Sequence, residues 1–188
     1  QMDGRVLPVI SNIIVTRKLN EEEIKIHNFK TFSPIANTKN LLYYYRKLPD
    51  NRILFGTRGD LTGSNQSNLD MSKKMEKFLK DIFPAWSNVT IDYNWRGLIA
   101  LSQKLTPSIG KIEGEEIYYG FGYNGVGVSA APWAGKQLSK LVFSSNSKEL
   151  DISKIYKGLP EKFIFPQLRT FYFRLAVWFY AIKDKLNI

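Results

Sequence analysis

The residues in this sequence best suited to chemistry are glycines. Gly120, Gly122, Gly125 and Gly127 fall within the eight-residue run Gly120-Phe121-Gly122-Tyr123-Asn124-Gly125-Val126-Gly127, just ahead of a stretch with Ala130, Ala131, Ala134 and Gly135. Gly120 to Gly125 matches the dinucleotide pattern in which loop amides and a helix N-terminus hold a pyrophosphate. That fingerprint also needs a second strand ending in an acidic residue roughly 20 residues on. The run Ser144-Ser145-Asn146-Ser147-Lys148 after Phe143 offers no such strand, so the pyrophosphate reading is set aside. Two readings remain. One is a tight strand-to-helix turn that uses glycine only for positive φ. The other is a backbone kept bare so that a flat ligand can lie against it, with the helix N-terminus favouring partial negative charge there.

Other chemistries are excluded by what is missing. The sequence has no cysteine, which removes disulfides, thiolate metal sites and a cysteine nucleophile. His27 is the single histidine, in a polar stretch after Glu21-Glu22-Glu23, and its expected role is structural. A Ser-His-Asp hydrolase and a multi-histidine metal site are therefore both disfavoured, and no metal is expected. The net charge of +10 invites a nucleic-acid reading. The lysines are scattered, however, several beside acids as in Lys80-Asp81, and no nucleic-acid-binding motif accompanies them, so a solvated basic surface is expected. With 44% hydrophobic, 14% aromatic and 23% charged residues, the chain has the composition of a folded protein of one or two units. No signal-peptide pattern and no spanning apolar run is present, so the expected location is cytoplasmic.

The elements that must position the glycine loop follow from periodicity and punctuation. Val6 to Thr16 is rich in β-branched residues and reads as a strand, with Pro8 confining it to an edge or entry position. Glu21 to Ile26 is a short helix capped by Asn20. Leu41–Arg46 and Arg52–Thr57 flank Leu48-Pro49-Asp50-Asn51, a turn that makes them a β-hairpin. Ser72 to Phe83, with Met71, Met75, Phe78, Leu79 and Ile82 on one face, is a helix stopped by Pro84. Val89 to Leu101 is strand-like, and Gly97 within it calls for a bend, a bulge or a close ligand. Ile117 to Phe121 is a short strand leading into the glycine loop, and a helix from Val128 to Phe143 leaves it. Ser144 to Glu149 reads as a linker and Pro166 to Lys185 as a closing helix. In that helix Leu168, Phe171, Leu175, Phe179, Ile182 and Leu186 form an apolar stripe, which suits core packing, or contact with another chain, more of the same polypeptide or a membrane surface.

Four segments taken in order carry a family resemblance. They are Asp50-Asn51-Arg52-Ile53-Leu54-Phe55-Gly56-Thr57-Arg58, Trp95-Arg96-Gly97-Leu98, Pro107-Ser108-Ile109-Gly110, and Gly122-Tyr123-Asn124-Gly125-Val126-Gly127-Val128 with Gly135-Lys136. Together they resemble the D-amino-acid-oxidase family of FAD-dependent oxidoreductases, most of all the branch of γ-glutamylputrescine oxidoreductase, with sarcosine and glycine oxidases more distant. The resemblance covers Val6 to Val142. It implies an α+β fold, with an antiparallel substrate-binding sheet and helices over residues 1–96. Residues 97–145 would be the C-terminal strand–loop–helix of an FAD-binding domain whose N-terminal part is missing, and residues 146–188 a helical tail.

The same resemblance implies an activity: oxidation of a primary or secondary amine by hydride transfer to flavin, with the flavin carrying the chemistry and no acid–base residue assigned. It places Gly122, Tyr123, Asn124, Gly125, Val126 and Gly127 at the FAD ring. The candidates around the substrate are Arg58, Trp95 and Ile99 together with Tyr43 and Tyr45 from the run Tyr43-Tyr44-Tyr45, any of which could line a pocket with an apolar wall and a polar tip. The tyrosines could equally alternate between core and surface. Ile99 stands where relatives acting on small α-amino acids carry a carboxylate-gripping arginine, so that grip is lost at this position. Arg96 and Arg58 are the nearby alternatives, each with a structural or solvated role as the competing reading. A pyrophosphate-binding start is not among the segments, so the isolated chain is expected neither to hold FAD nor to turn over. Its expected partners are a small amine, the missing N-terminal half of the polypeptide and a further copy of itself as a candidate, with no nucleic acid. The competing function is a non-catalytic binding module with a basic surface.

Overall fold

The computed structural model describes residues 2–60, 62–143 and 152–186. The linker expected at Ser144 to Glu149, and the domain boundary expected at 145/146, lie outside the described residues. The chain divides into two compact units, one made of Val9–Leu98 with Arg174–Ile188 and the other of Gln1–Pro8 with Ile99–Phe173.

The first unit is organised by an antiparallel sheet. Its strands are β1 (Val6–Thr16), β2 (Ile35–Ala36), β3 (Tyr43–Lys47), β4 (Ile53–Asp60) and β5 (Ile91–Ser102), in the order β2-β3-β4-β1-β5. The hairpin of β3 and β4 forms as its turn residues predict. The amide of Asn51 donates to Leu48 at 3.0 Å, and Asn51 takes the left-handed conformation, φ 66°, that asparagine tolerates. Register runs from Lys47 opposite Ile53 to Tyr43 opposite Thr57. β1 is an interior strand between β4 and β5, so of the two positions that Pro8 permits it occupies the entry. Pairing with β4 starts only at Ile10, beyond the proline.

Helix α2 (Asn65–Ile82) covers one face of this sheet. It starts seven residues before the expected Ser72, because the Ser64 hydroxyl accepts from the Ser67 amide at 3.0 Å and caps it. Its first turns, Asn65-Gln66-Ser67-Asn68, are polar and carry no apolar period to read. The apolar face that follows buries Met71, Met75 and Leu79 against Ile14, Ile53, Phe55, Phe83 and Trp86. Complete burial of side chains this large stabilises by roughly 1.5–3 kcal/mol each.

A short helix, α1 (Glu21–Ile26), closes the lower end through a reciprocal cap between Asn20 and Glu23. Arg17 donates to both Glu23 oxygens, at 2.9 and 2.6 Å, and with the Asn20 amide holds that carboxyl down at about 2. The folded carboxyl thus binds its proton less tightly than the ordinary value of 4.5, so its stabilising contribution is complete above pH 4.5 and is lost as pH falls toward 2. Acid titration of Glu23→Gln, followed by circular dichroism, should show a shallower loss of stability across that window than the parent. His27, which follows α1, is half-buried edge-on against Phe83 and Trp86 at 5.1 and 4.9 Å, with no partner for Nε2. Its role is packing.

The second unit holds the hairpin of β6 (Ser108–Lys111) and β7 (Tyr118–Phe121), followed by helix α3 (Gly127–Phe143). Ile109 and Ala134 are fully buried between them, with Trp133, Leu138, Leu141 and Ile152 packed around. Gly110 permits this packing, since a Cβ there would lie 2.6 Å from the Tyr119 hydroxyl. Lys104 and Thr106 both donate to the Ile155 carbonyl, at 3.0 and 3.2 Å, and tie the tail to the turn before β6.

Helix α4 (Arg169–Leu186) is preceded by a 3₁₀ turn at Pro166–Leu168 rather than beginning at the proline. None of its residues is buried. The stripe of Phe171, Leu175, Phe179 and Leu186 is more than half exposed, so core packing, one of the roles open to this face, is not the one it plays among the described residues. Near its end Asp184 accepts from the amide and side chain of Asn40 and from the amide of Leu41, each at 2.9 Å. No helix among the described residues is long and apolar enough to cross a membrane.

Candidate functional site

The glycine loop is a turn held rigid by one side chain. Gly122, Asn124 and Gly125 all have positive φ, at 68°, 54° and 94°, so the chain reverses within four residues of the end of β7. Asparagine is the side chain best able to adopt this conformation while bonding locally. Asn124 Oδ1 accepts from the Ser102 amide at 2.8 Å, its own amide donates to Ala100 at 3.2 Å, and its Nδ2 donates to the Gly122 carbonyl. Tyr123 folds back to donate from its hydroxyl to Gly120 at 3.0 Å. The result is a loop stapled to β5 on one side and to β7 on the other.

Helix α3 starts immediately after, at Gly127. The amides of Gly127 and Val128 therefore have no carbonyl one turn earlier inside the helix to bond. Val126 and Val128 are exposed, the latter at 96%. An open glycine turn, a fixed asparagine and a 17-residue helix with bare first amides suit a planar group that carries partial negative charge at its edge. Gly122, Tyr123, Asn124, Gly125, Val126 and Gly127 together make this turn and helix start, whose donors would suit the edge of a flavin ring.

The sheet of the other unit has two unlike faces. Tyr43 and Tyr45 lie on the α2 side, where Tyr43 packs at 4.6 Å from Phe78 and Tyr45 stacks at 6.0 Å on Phe55. Burial, with Asp184 and Asp81 nearby, pushes the Tyr43 hydroxyl above its ordinary value. These two rings are half-buried against the core, because the hairpin register turns positions 43 and 45 to the α2 side; this is the sheet role that stood beside the pocket role for them.

Tyr44 points the other way. Its ring lies flat over Gly56, where a Cβ would come within 2.2 Å of the ring carbon Cζ, and its hydroxyl meets Ser11 Oγ at 2.9 Å. Arg58, two residues beyond Gly56 and directly opposite Ser11, shares this open face. Asn94 and Arg96 bond to Ser72 and Ser64 of the α2 region, so Trp95 between them faces away from α2 and is 44% exposed. Sequence reasoning weighed Tyr44 together with Tyr43 and Tyr45 and did not single out Ser11 or the glycine at position 56 as its neighbours. The available signal was the hairpin register, which sets Tyr44 opposite a glycine.

Arg96 has a structural task. It donates to the Ser64 carbonyl at 2.6 Å and stands 3.6 Å from Asp60, a carboxylate only 2% exposed. With Ile10, Thr62, Gly63, Gly97 and Leu98 it lines a cleft of about 380 Å³ at the start of α2. Nothing described lies within 4 Å of a Cβ added at Gly97, so packing does not demand the glycine. Ile99 is half-buried and belongs to the unit that carries the glycine loop. No cluster of histidine, aspartate and glutamate suited to a metal occurs among the described residues.

Comparison with known proteins places the chain in a family. The family profile described as FAD dependent oxidoreductase matches residues 1–141. A probable oxidoreductase, OrdL, of Haemophilus influenzae is 31% identical over 191 residues, covering 98% of this chain and 40% of the relative. The γ-glutamylputrescine oxidoreductase of Escherichia coli is 28% identical, covering all of this chain and 43% of the relative. The chain therefore spans about two fifths of the length of these relatives. Among solved structures, glycine oxidase from Geobacillus kaustophilus superposes with a TM-score of 0.61 at 15% identity, over 87% of this chain and 41% of that one. Iminodiacetate oxidase from Chelativorans gives 0.58 at 19% identity, over 85% and 42%. These two show a shared fold.

Proposed function

Since the chain belongs to the FAD-dependent oxidoreductase family, we propose that the polypeptide containing it oxidises the C–N bond of an amine. In this reading the present chain supplies the flavin-edge loop and the sheet face that meets the substrate. The observation that carries the reading is the Asn124-stapled turn running into the bare N-terminus of α3. Gly122 to Gly127 would hold the ring, and FAD when bound supplies the two-electron acceptor to which hydride passes. The backbone amides at Gly127 and Val128 would favour negative charge at the ring edge, while Asn124 prevents the turn from collapsing into the space the ring needs. Amine oxidation of this kind asks the protein to orient the substrate and exclude water rather than to supply a nucleophile. A chain with one histidine, used in packing, and no cysteine is suited to that work.

The substrate class follows from Ile99 and from the relative named for γ-glutamylputrescine. Isoleucine neither donates a hydrogen bond nor balances charge, so recognition does not rest on an α-carboxylate at that position. An extended, polyamine-derived amine fits better than glycine, sarcosine or D-alanine. The chain alone would lack the pyrophosphate site and so retain no cofactor.

Two measurements test this. Gel-filtered chain mixed with FAD should show no stoichiometric flavin absorbance, whereas the full-length protein should carry flavin and turn over putrescine derivatives. A kcat/KM at least about tenfold higher for small amino acids, some 1.4 kcal/mol in barrier terms, would overturn the substrate reading, and flavin held stoichiometrically by the chain alone would overturn the division of the cofactor site.

A further inference from the structure

Helix α4 carries an apolar face that no described residue covers. Its part in the sheet unit runs from Arg174 to Leu186, and there Leu175, Trp178, Phe179, Ile182 and Leu186 follow the three-and-four spacing that aligns side chains along one side of a helix. They are 38–67% exposed, far from the burial of a core. Ala176, Val177, Tyr180 and Asp184 lie round the other side, where the alanine, valine and aspartate are half-buried and Asp184 accepts from Asn40 and Leu41. The helix is fixed to its unit by one side and bare on the opposite one.

The make-up of the whole segment tells what belongs on the bare side. A helix that lies on a lipid surface sets an apolar face against a strongly charged one. This segment has no charged face, because Ala176, Val177 and Tyr180 make its inner side apolar as well, and Arg174, Lys183 and Lys185 only border the outer stripe. A helix that is apolar on all sides is a buried one, in a protein core or across a bilayer. α4 is not long and apolar enough to cross. A second copy set stripe against stripe would bring the three border cations toward their own kind, while the one carboxylate of the segment, Asp184, is already held by Asn40 and Leu41. A core continued within the same polypeptide meets neither objection. The γ-glutamylputrescine oxidoreductase of Escherichia coli matches all of this chain, α4 included, and the chain is 43% of its length. In that relative the helix therefore shares its polypeptide with a part larger than this chain.

We propose that the outer stripe of α4 is a core surface of the parent polypeptide, covered by the part of it that lies outside these 188 residues. The helix is then a tie. One side grips the segment before β3 through Asp184, and the other packs against the remainder. The inference concerns packing alone and stands or falls apart from the amine-oxidation reading.

The test is hydroxyl-radical footprinting of the wild-type full-length protein, dilute, free of lipid and monomeric by gel filtration, with side-chain oxidation in the α4 peptide followed by mass spectrometry. Trp86, which is completely buried, is the internal standard. Trp178 should be oxidised at a rate nearer to that of Trp86 than to its own rate in urea. A rate nearer to the urea value in the folded monomer overturns the proposal. So does protection that appears only on vesicles of phosphatidylserine and phosphatidylcholine, which would assign the stripe to a lipid surface, or only as concentration rises and dimers form, which would assign it to a second copy. Trp178→Asp in the full-length protein should lower the thermal midpoint by more than about 5 °C, and an unchanged midpoint, as at an exposed site, also overturns it. Because the footprint is read on wild type, it decides the outcome even where Trp178→Asp does not fold.

Discussion

Trp86→Ala should cost about 3–5 kcal/mol of stability, the range for deleting a large aromatic side chain from a closed core. Trp86 is completely buried, stacks on Phe83 with ring centroids 4.3 Å apart, and donates from Nε1 to the Glu23 carbonyl at 2.8 Å. Its removal leaves a cavity between α1, α2 and the sheet and strips a carbonyl of its donor. Urea unfolding followed by circular dichroism should show a large fall in the midpoint. Trp86→Phe should recover a good part of it, because the ring contact returns without the hydrogen bond. Trp95→Ala serves as the contrast. That side chain is 44% exposed, and its loss should change stability by no more than about 0.5 kcal/mol. Equal effects at the two tryptophans would refute the placement of the core under α2.

Asp60→Ala should destabilise by about 3 kcal/mol, as expected when one member of a buried charged network is removed and its partners are left unpaired. The carboxylate accepts from the Ser67 hydroxyl and from the amides of Thr62 and Gly63 at 3.2 and 3.0 Å, and it balances Arg96. Burial pushes its pKa up, but those donors together with Arg96 outweigh burial and leave it below the ordinary 3.8. A folded carboxyl of depressed pKa stabilises fully above its unfolded value and loses that contribution as pH falls through the folded one. Stability attributable to Asp60 should therefore be flat above pH 3.8 and decline below it. Asp60→Asn should be weaker than the parent at neutral pH and show less decline in acid, measured as unfolding midpoints from pH 6 downward. A parent profile no steeper than that of Asp60→Asn would show that the carboxylate is not the titrating group.

Both effects bear on the open face. Asp60 ends the strand that carries Gly56 and Arg58, and the irregular pairing between Ile10 and Ser11 falls beside it. The loop it organises, through Thr62 and Gly63 to the Ser64 cap, starts α2 and so determines which side of the sheet is covered. The polar network sits at the edge of the core beside the start of α2.

What the sequence determined by itself is whatever has a local cause. The Asn20–Glu23 cap, the Leu48–Asn51 turn, the apolar period of Met71, Met75 and Leu79, and the glycine turn before α3 each depend on residues within a few positions of one another. Local chemistry is enough to read them, and the ordered motifs around Arg52, Trp95, Pro107 and Gly122 were enough to point to the family. Only the tertiary structure decided which of Tyr43, Tyr44 and Tyr45 faces outward, because the facing of a strand is set by its register with neighbours, and a slip of one residue would invert all three. It also decided that Arg96 is tied to Asp60, 36 positions earlier, while the Arg58 Nε has no hydrogen-bond partner among the described residues, and that Asp184 clamps Asn40 across 144 positions of chain. Such pairings are chosen by packing in three dimensions, where sequence separation no longer measures distance, so candidate arginines that look alike in the sequence become distinguishable only when their partners are in place.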